Sequence, residues 1–479
     1  MLVPSFNSTI TIIAAITLIR VYYLWIGTFG VFFDEAQYWT WSKQLDFGYY
    51  SKPPIVAWVI AFGNAFFGNE AFGIKVGAPL VHGLTALLVY QIAKVLYPKD
   101  ERYAFWSAIT YLLLPGVTAS SAFISADVPL MFFWTAGIYC FARAIQREGD
   151  HWWAYMAIMG GLGLLSKYTM IVFFPCAVLF LMYTPRIRAL LWNVGILSVV
   201  AIVILIYFPN FLWNMSNDFI SFVHTNDNVF SHGFSVYPLL AAEFFGAQFG
   251  VFGPILFVVL LWLLKDAQSL WKEENTRLLL CFTFPLFLLA IAISLASGAQ
   301  AHWAAPVYIS GTLLVVRWLQ QKTSRVRWLR SALILHAVIL LAFSNFPLLS
   351  HHLGSYNPLA RITLWNTLAP HAVKALHDNP GTFLLSDERK GVATLMYNLR
   401  TSDGEPYTVL KWNPDKTPHD HYDMITNMND YLGQNFIFVT RMQDVSSVYE
   451  HFNSGTEIER FTSVNKEFTV HLLQNFKGY

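Results

Sequence analysis

The chain has 479 residues, 55% of them apolar and 13% charged, with a net charge of +2 and a mean hydropathy of +0.45. Soluble globular chains carry roughly 25% charged residues, so this balance describes a polytopic membrane protein. A net charge this small argues against a nucleic-acid partner, which requires a concentrated basic face.

A spanning helix needs roughly 20 apolar residues. Residues 10–31, 76–97, 104–122, 128–146, 152–166, 168–184, 191–213, 238–264, 278–297, 304–320 and 331–349 read as spans, about eleven in all. The pair flanking Ser166-Lys167 is short on both sides. The first segment lacks a short apolar core followed by a cleavage site, so it reads as a retained anchor. Arg20 lies inside it and is expected to face the bundle interior. Segment 53–68, opened by Pro53-Pro54, reads as an amphipathic helix at the membrane interface. The three cysteines, Cys140, Cys176 and Cys281, fall in apolar runs and read as small core residues.

Fifteen lysines and arginines between Lys94 and Arg330 share one set of loops, against Lys43, Lys52, Lys75 and Lys167 on the other. The positive-inside rule puts the richer set in the cytoplasm. The loop from 32 to 75 then faces out, and an odd number of spans puts the C-terminal tail on the same side. From residue 350 the composition turns polar and mixed. Strand-like runs occur at Thr382–Leu385, Asn435–Thr440 and Phe468–Leu473, with helical patterns at Leu359–Ala375 and Gly391–Asn398. The expected fold is therefore an all-α polytopic membrane domain, 1–349, followed by a small extracytoplasmic α/β domain, 350–479.

The chemistry-bearing residues gather on the outer side. Phe33-Asp34-Glu35-Ala36-Gln37-Tyr38-Trp39-Thr40-Trp41 puts two carboxylates and a run of aromatics just after the first span, and Lys52 closes that loop. Asp127 lies in Ser125-Ala126-Asp127-Val128-Pro129, Lys167 in Leu164-Leu165-Ser166-Lys167-Tyr168, and His302-Trp303 before Pro306. Ionisable groups beside hydrocarbon are costly and point to function. Plainer readings exist for each: belt aromatics for the first stretch and for His302, a helix cap for Asp127, and a snorkelling side chain for Lys167. His419 and His421 have an H-x-H spacing, but their setting reads as a solvated turn. The chain has no Walker A loop, no G-x-G-x-x-G and no H-E-x-x-H, so ATP-driven transport and zinc-protease chemistry lack support. Carboxylates and lysines at one membrane face suit a reaction that deprotonates a nucleophile and steadies an anionic leaving group.

These residues also carry a resemblance. Asp34-Glu35 with Tyr49-Tyr50-Ser51-Lys52-Pro53-Pro54 resembles the first outer loop of the bacterial protein-mannosyltransferase-like glycosyltransferases. That group lies in the GT-C-fold superfamily, with the aminoarabinose and galacturonic acid transferases that act on lipopolysaccharide. Ser125–Pro129, Gly161–Tyr168, Phe208-Pro209-Asn210, Trp213-Asn214, His302–Pro306, Leu385-Ser386-Asp387 and Ala393–Tyr397 agree in order. The resemblance implies Asp34 as general base with Glu35 beside it, and Asp127 as a catalytic residue at the second acidic position of the outer cavity. It implies Lys52 on the phosphate of a polyprenyl-phosphate sugar, with Tyr50, Lys167 and His302 as further substrate contacts. The implied reaction is inverting transfer to lipid A, lipopolysaccharide core or another glycan at the periplasmic face of the bacterial inner membrane. No cofactor is demanded, although a divalent metal is compatible. Protein O-mannosylation is the alternative within this chemistry, and a transporter or flippase of a lipid-linked substrate the alternative outside it. Paired broken helices, which transport would predict, are not seen.

Overall fold

The computed structural model describes residues 4–27, 29–146, 149–192, 194–230, 236–350 and 364–479. The chain forms two compact units, and they do not follow chain order. The first comprises residues 1–26, 52–56 and 75–344; the second comprises 27–51, 57–74 and 345–479.

The first unit is helical. Helix Asp127–Ile145 packs against His151–Leu164 and Gly77–Leu96, and Glu274–Ser297 against Val307–Gln320. Its core is a continuous cluster of fully buried Leu, Ile, Val and aromatic side chains, among them Trp134, Phe141, Phe173 and Phe282. The three cysteines are free and buried in it, as their apolar settings suggested. Among the described residues seven helices are long and apolar enough to cross a membrane, fewer than the eleven spans expected.

The expected spans without such a helix are 104–122, 152–166, 168–184 and 304–320, and the first and third have a local cause. The expected span 104–122 is two helices, Glu101–Leu113 and Pro115–Ser120, because Pro115 has no N–H to continue the ladder. Arg20 explains itself at this break. Its Nη2 donates to the Leu112 carbonyl (2.6 Å) and to Thr118 Oγ1 (3.1 Å), covering an acceptor that hydrocarbon would leave unpaired. The expected span 238–264 also divides at Gly253, whose φ of +89° suits glycine, into Pro238–Val251 and Pro254–Trp262, and the stretch Pro254–Lys272 is still among the seven. The expected span 168–184 opens with a tight turn, Tyr168–Val172, before Phe173–Met182. The predicted interfacial segment is a helix, Ile55–Phe67.

The second unit is α/β. Its five strands are β1 (Phe383–Ser386), β2 (Val409–Lys411), β3 (Phe436–Thr440), β4 (Phe452–Ser463) and β5 (Lys466–Phe476), in the order β2-β1-β3-β5-β4. The first three are parallel and buried, and β4 and β5 form an antiparallel hairpin joined to β3. Leu385, Phe436, Phe438, Leu473 and Phe476 centre its core. Three of these strands lie where sequence placed them, while β2 and β4 went unread. Helix Arg389–Asn398 matches expectation; of the segment Leu359–Ala375 a helix is seen from Leu368 to Asp378, and 359–363 lie outside the described residues.

The stretch Phe33–Lys43 is a helix, and it packs on Arg389–Asn398 within this unit. Trp39 and Trp41 are fully buried and so are not belt residues. Trp39 Nε1 donates to Asn69 Oδ1 (3.3 Å), and Trp41 stacks on Tyr49 with centroids 4.6 Å apart. Burying such a ring is worth up to about 4–6 kcal/mol on area grounds.

His421 sits against Trp41, Tyr49 and Tyr422, and its buried Nδ1 has no hydrogen-bond partner among the described residues. Burial pushes its pKa down to about 3 from 6.5. The folded state therefore binds fewer protons than the unfolded chain between those values, and this contribution to stability is lost as pH falls from 6.5 towards 3. Asp387, Glu388 and Asp423 are pushed up by burial and act with the opposite sign. The His421 contribution is isolated by comparing thermal unfolding of wild type and His421→Phe. Their stability difference should shift against the wild type by up to about 1.4 kcal/mol per pH unit below pH 6; a pH-independent difference would refute it.

Candidate active site

Each unit holds one cluster of the residues singled out in sequence. In the helical unit the centre is Asp127, the first residue of helix Asp127–Ile145. It does not cap that helix; its buried carboxylate is used elsewhere. Asp127 Oδ1 accepts from Lys167 Nζ at 2.7 Å, and His302 Nε2 lies 3.6 Å from Oδ2. Lys52 is within Coulombic reach of the same carboxylate.

Irregular backbone places these cations. Lys167 is extended (φ −160°, ψ 137°) between helix His151–Leu164 and the turn Tyr168–Val172, so its side chain leaves the helical stack. It is only 15% exposed, which does not fit a snorkelling residue. His302 lies in the short turn Ala301–Ala304, between helices Glu274–Ser297 and Val307–Gln320. Lys52 precedes Pro53-Pro54, and the Ile55 N–H then bonds to the Leu165 carbonyl (3.1 Å), tying the Lys52 segment to the backbone beside Lys167.

Lys167, His302 and, at longer range, Lys52 thus gather around this one carboxylate. Asp127 and His302 also line a cavity of about 350 Å³ whose other walls, including Leu114, Val117, Phe123, Met131 and Val251, are mainly apolar. Basic side chains beside an apolar cavity suit an amphipathic anion.

In the α/β unit the centre is Asp34, in the first turn of helix Phe33–Lys43, where a negative charge is favoured by the helix dipole. Asp34 Oδ1 accepts from Arg389 Nη1 at 2.9 Å, and the same nitrogen donates to Gln37 Oε1. Asp34 is 37% exposed, so its carboxylate is reachable from solvent. Glu35 is in a different position: it is 1% exposed, and its Oε2 accepts from the Phe32 N–H (2.9 Å), satisfying a donor at the helix start. Tyr50 is buried and donates to the Pro418 carbonyl at 3.4 Å.

Arg389 was not anticipated from sequence. The available signal was the charged run Asp387-Glu388-Arg389-Lys390 directly after β1, at the carboxyl end of a parallel strand. Of the H-x-H pair, His419 is exposed and bonds to Asp415 (2.9 Å), while His421 is the buried residue described above. Among the described residues no group of three or more His, Cys, Asp or Glu is arranged to hold a metal ion.

Comparison with known proteins gives a consistent picture. The family described as dolichyl-phosphate-mannose-protein mannosyltransferase matches residues 51–213. The lipid A galacturonosyltransferase RgtD of Rhizobium johnstonii is 32% identical over 425 residues, covering 87% of this chain and 87% of that protein. An undecaprenyl phosphate-alpha-4-amino-4-deoxy-L-arabinose arabinosyl transferase of Pseudomonas fluorescens is 28% identical over 203 residues, 38% of this chain and 37% of its own. Among solved structures, ArnT from Cupriavidus metallidurans bound to undecaprenyl phosphate aligns with a TM-score of 0.68 at 13% identity, covering 97% of this chain and 98% of that one. That likeness bears on the fold.

Proposed function

This chain belongs to the GT-C membrane glycosyltransferases related to the sugar transferases of lipid A, and on that footing we propose an inverting transfer from a polyprenyl-phosphate sugar to lipid A, lipopolysaccharide core or another envelope glycan. The observation that carries the proposal is the Asp127 cluster. A lipid-linked phosphosugar is an anion on an apolar chain, and Lys52, Lys167 and His302 lie around one carboxylate beside an apolar cavity.

In the proposed reaction the acceptor hydroxyl attacks the anomeric carbon. The bond to the phosphate oxygen breaks, and the carrier leaves as a polyprenyl phosphate anion. Lys52 and Lys167 balance that charge, which counts for more where water is excluded. Asp127 holds Lys167 in place, and His302 and Tyr50 contribute to substrate binding. Asp34 takes the hydroxyl proton as the new bond forms. Attack opposite the leaving group inverts the anomeric centre. Glu35, assigned by resemblance beside Asp34, supports the base by securing the start of its helix.

We place the protein in the bacterial inner membrane with eleven crossings and a periplasmic reaction, on the loop-charge asymmetry. The family description at 51–213 names protein mannosylation, so transfer to a Ser or Thr hydroxyl is the second reading.

Lys52→Gln tests the donor assignment. With undecaprenyl-phosphate galacturonic acid as donor and lipid A as acceptor, in proteoliposomes, kcat/KM should fall about 10²–10³-fold, with a raised KM for the donor. An unchanged kcat/KM would remove Lys52 from the phosphate site.

A further inference from the structure

Resting on the assignment of Asp34 as general base, we propose that Arg389 is its positioning residue: it grips one carboxylate oxygen and leaves the other to receive the acceptor proton. Arg389 Nη1 donates to Asp34 Oδ1 at 2.9 Å and to Gln37 Oε1. Asp34 and Gln37 are three residues apart and share one face of their helix, so a single guanidinium nitrogen reads the rotation of that face. Arg389 also lies over the Phe33 ring, 5.5 Å from its centroid, which fixes it from a third direction. The planar fork of arginine gives this grip a defined geometry that an ammonium lacks.

Helix stability does not account for Arg389 being there. It is the first residue of helix Arg389–Asn398, where a cation opposes the helix dipole. Nor does the ion pair do much for the fold, since the Arg389 and Asp34 side chains are 31% and 37% exposed and such surface pairs contribute little. What the contact does fix is orientation. It engages Oδ1 alone, and Oδ2 has no hydrogen bond among the described residues. In the transfer step the acceptor O–H proton passes to Oδ2 as the acceptor oxygen bonds to the anomeric carbon. The electron pair of the broken bond leaves with the carrier phosphate, and Arg389 balances the Asp34 charge before the proton arrives.

The full-length protein in proteoliposomes tests this, with undecaprenyl-phosphate galacturonic acid and lipid A as substrates. Arg389→Ala should lower kcat about 10–100-fold, as misplacement of a reacting group does, with the KM for donor within about twofold of wild type. Millimolar methylguanidinium should restore at least about a tenth of the lost rate, and Arg389→Lys should fall between. A wild-type kcat in Arg389→Ala, or a loss that neither methylguanidinium nor lysine relieves, would overturn the positioning role. Full activity of Asp34→Asn in the same assay would instead overturn the base assignment beneath it.

Discussion

Asp34→Asn is expected to lower turnover by about 10²–10⁴-fold, the range that a positioned proton acceptor contributes. The substitution is nearly isosteric, and the asparagine carbonyl can still accept the Arg389 hydrogen bond that Asp34 Oδ1 accepts now. The helix Phe33–Lys43, its buried Trp39 and Trp41 and its packing on Arg389–Asn398 should therefore persist. Only basicity is lost. Donor binding, which is assigned to Lys52 and Lys167, should change little. The measurement is single-turnover transfer from undecaprenyl-phosphate galacturonic acid alongside equilibrium binding of the same donor. A variant that binds donor and turns over at the wild-type rate would exclude Asp34 as the base.

Lys167→Met is expected to damage both fold and activity. Lys167 and Asp127 form a 2.7 Å pair whose side chains are 15% and 13% exposed. Removing one partner of such a pair strands the other charge in a poorly solvated place, which typically costs about 3–5 kcal/mol. His302 and Lys52 remain near Asp127, so the lower end of that range is expected here. Adding Asp127→Asn to Lys167→Met should recover most of the lost stability, because no buried charge is then left alone. Transfer should remain impaired in the double variant, because the cation is still missing. Thermal unfolding in detergent, paired with the transfer assay, separates the two effects. A single variant as stable as wild type would show that the pair is not the buried one described above.

Much of this was legible in the chain. Hydropathy located the apolar segments, because a spanning helix is written as a continuous run that depends on nothing distant. It could not show the breaks at Pro115 and Gly253, where interrupting the helical backbone costs nothing in hydropathy. It missed β2 and β4 for opposite reasons. Val409–Lys411 is three buried residues, too short to show a period, and Phe452–Ser463 is mostly exposed and carries polar residues at both faces. Asp34, Lys52, Asp127, Lys167 and His302 stood out because each is ionisable beside an apolar segment. The pairing of Asp127 with Lys167, forty positions apart, is a property of the folded helices. Arg389 was invisible for the same reason in stronger form: it meets a carboxylate 355 positions away, and no local pattern marks such a contact. Trp39 and Trp41 looked like belt residues because local sequence cannot distinguish an interfacial aromatic from one buried in an α/β unit.

Mass spectrometry of lipid A, core oligosaccharide and envelope glycoproteins tests the account most directly. It would compare cells lacking this chain, cells complemented with wild type, and cells complemented with Asp34→Asn. The account predicts that one defined sugar disappears from the lipid A or core fraction and returns only with wild type. Return of that sugar with Asp34→Asn, or no glycan change in any fraction, would contradict it.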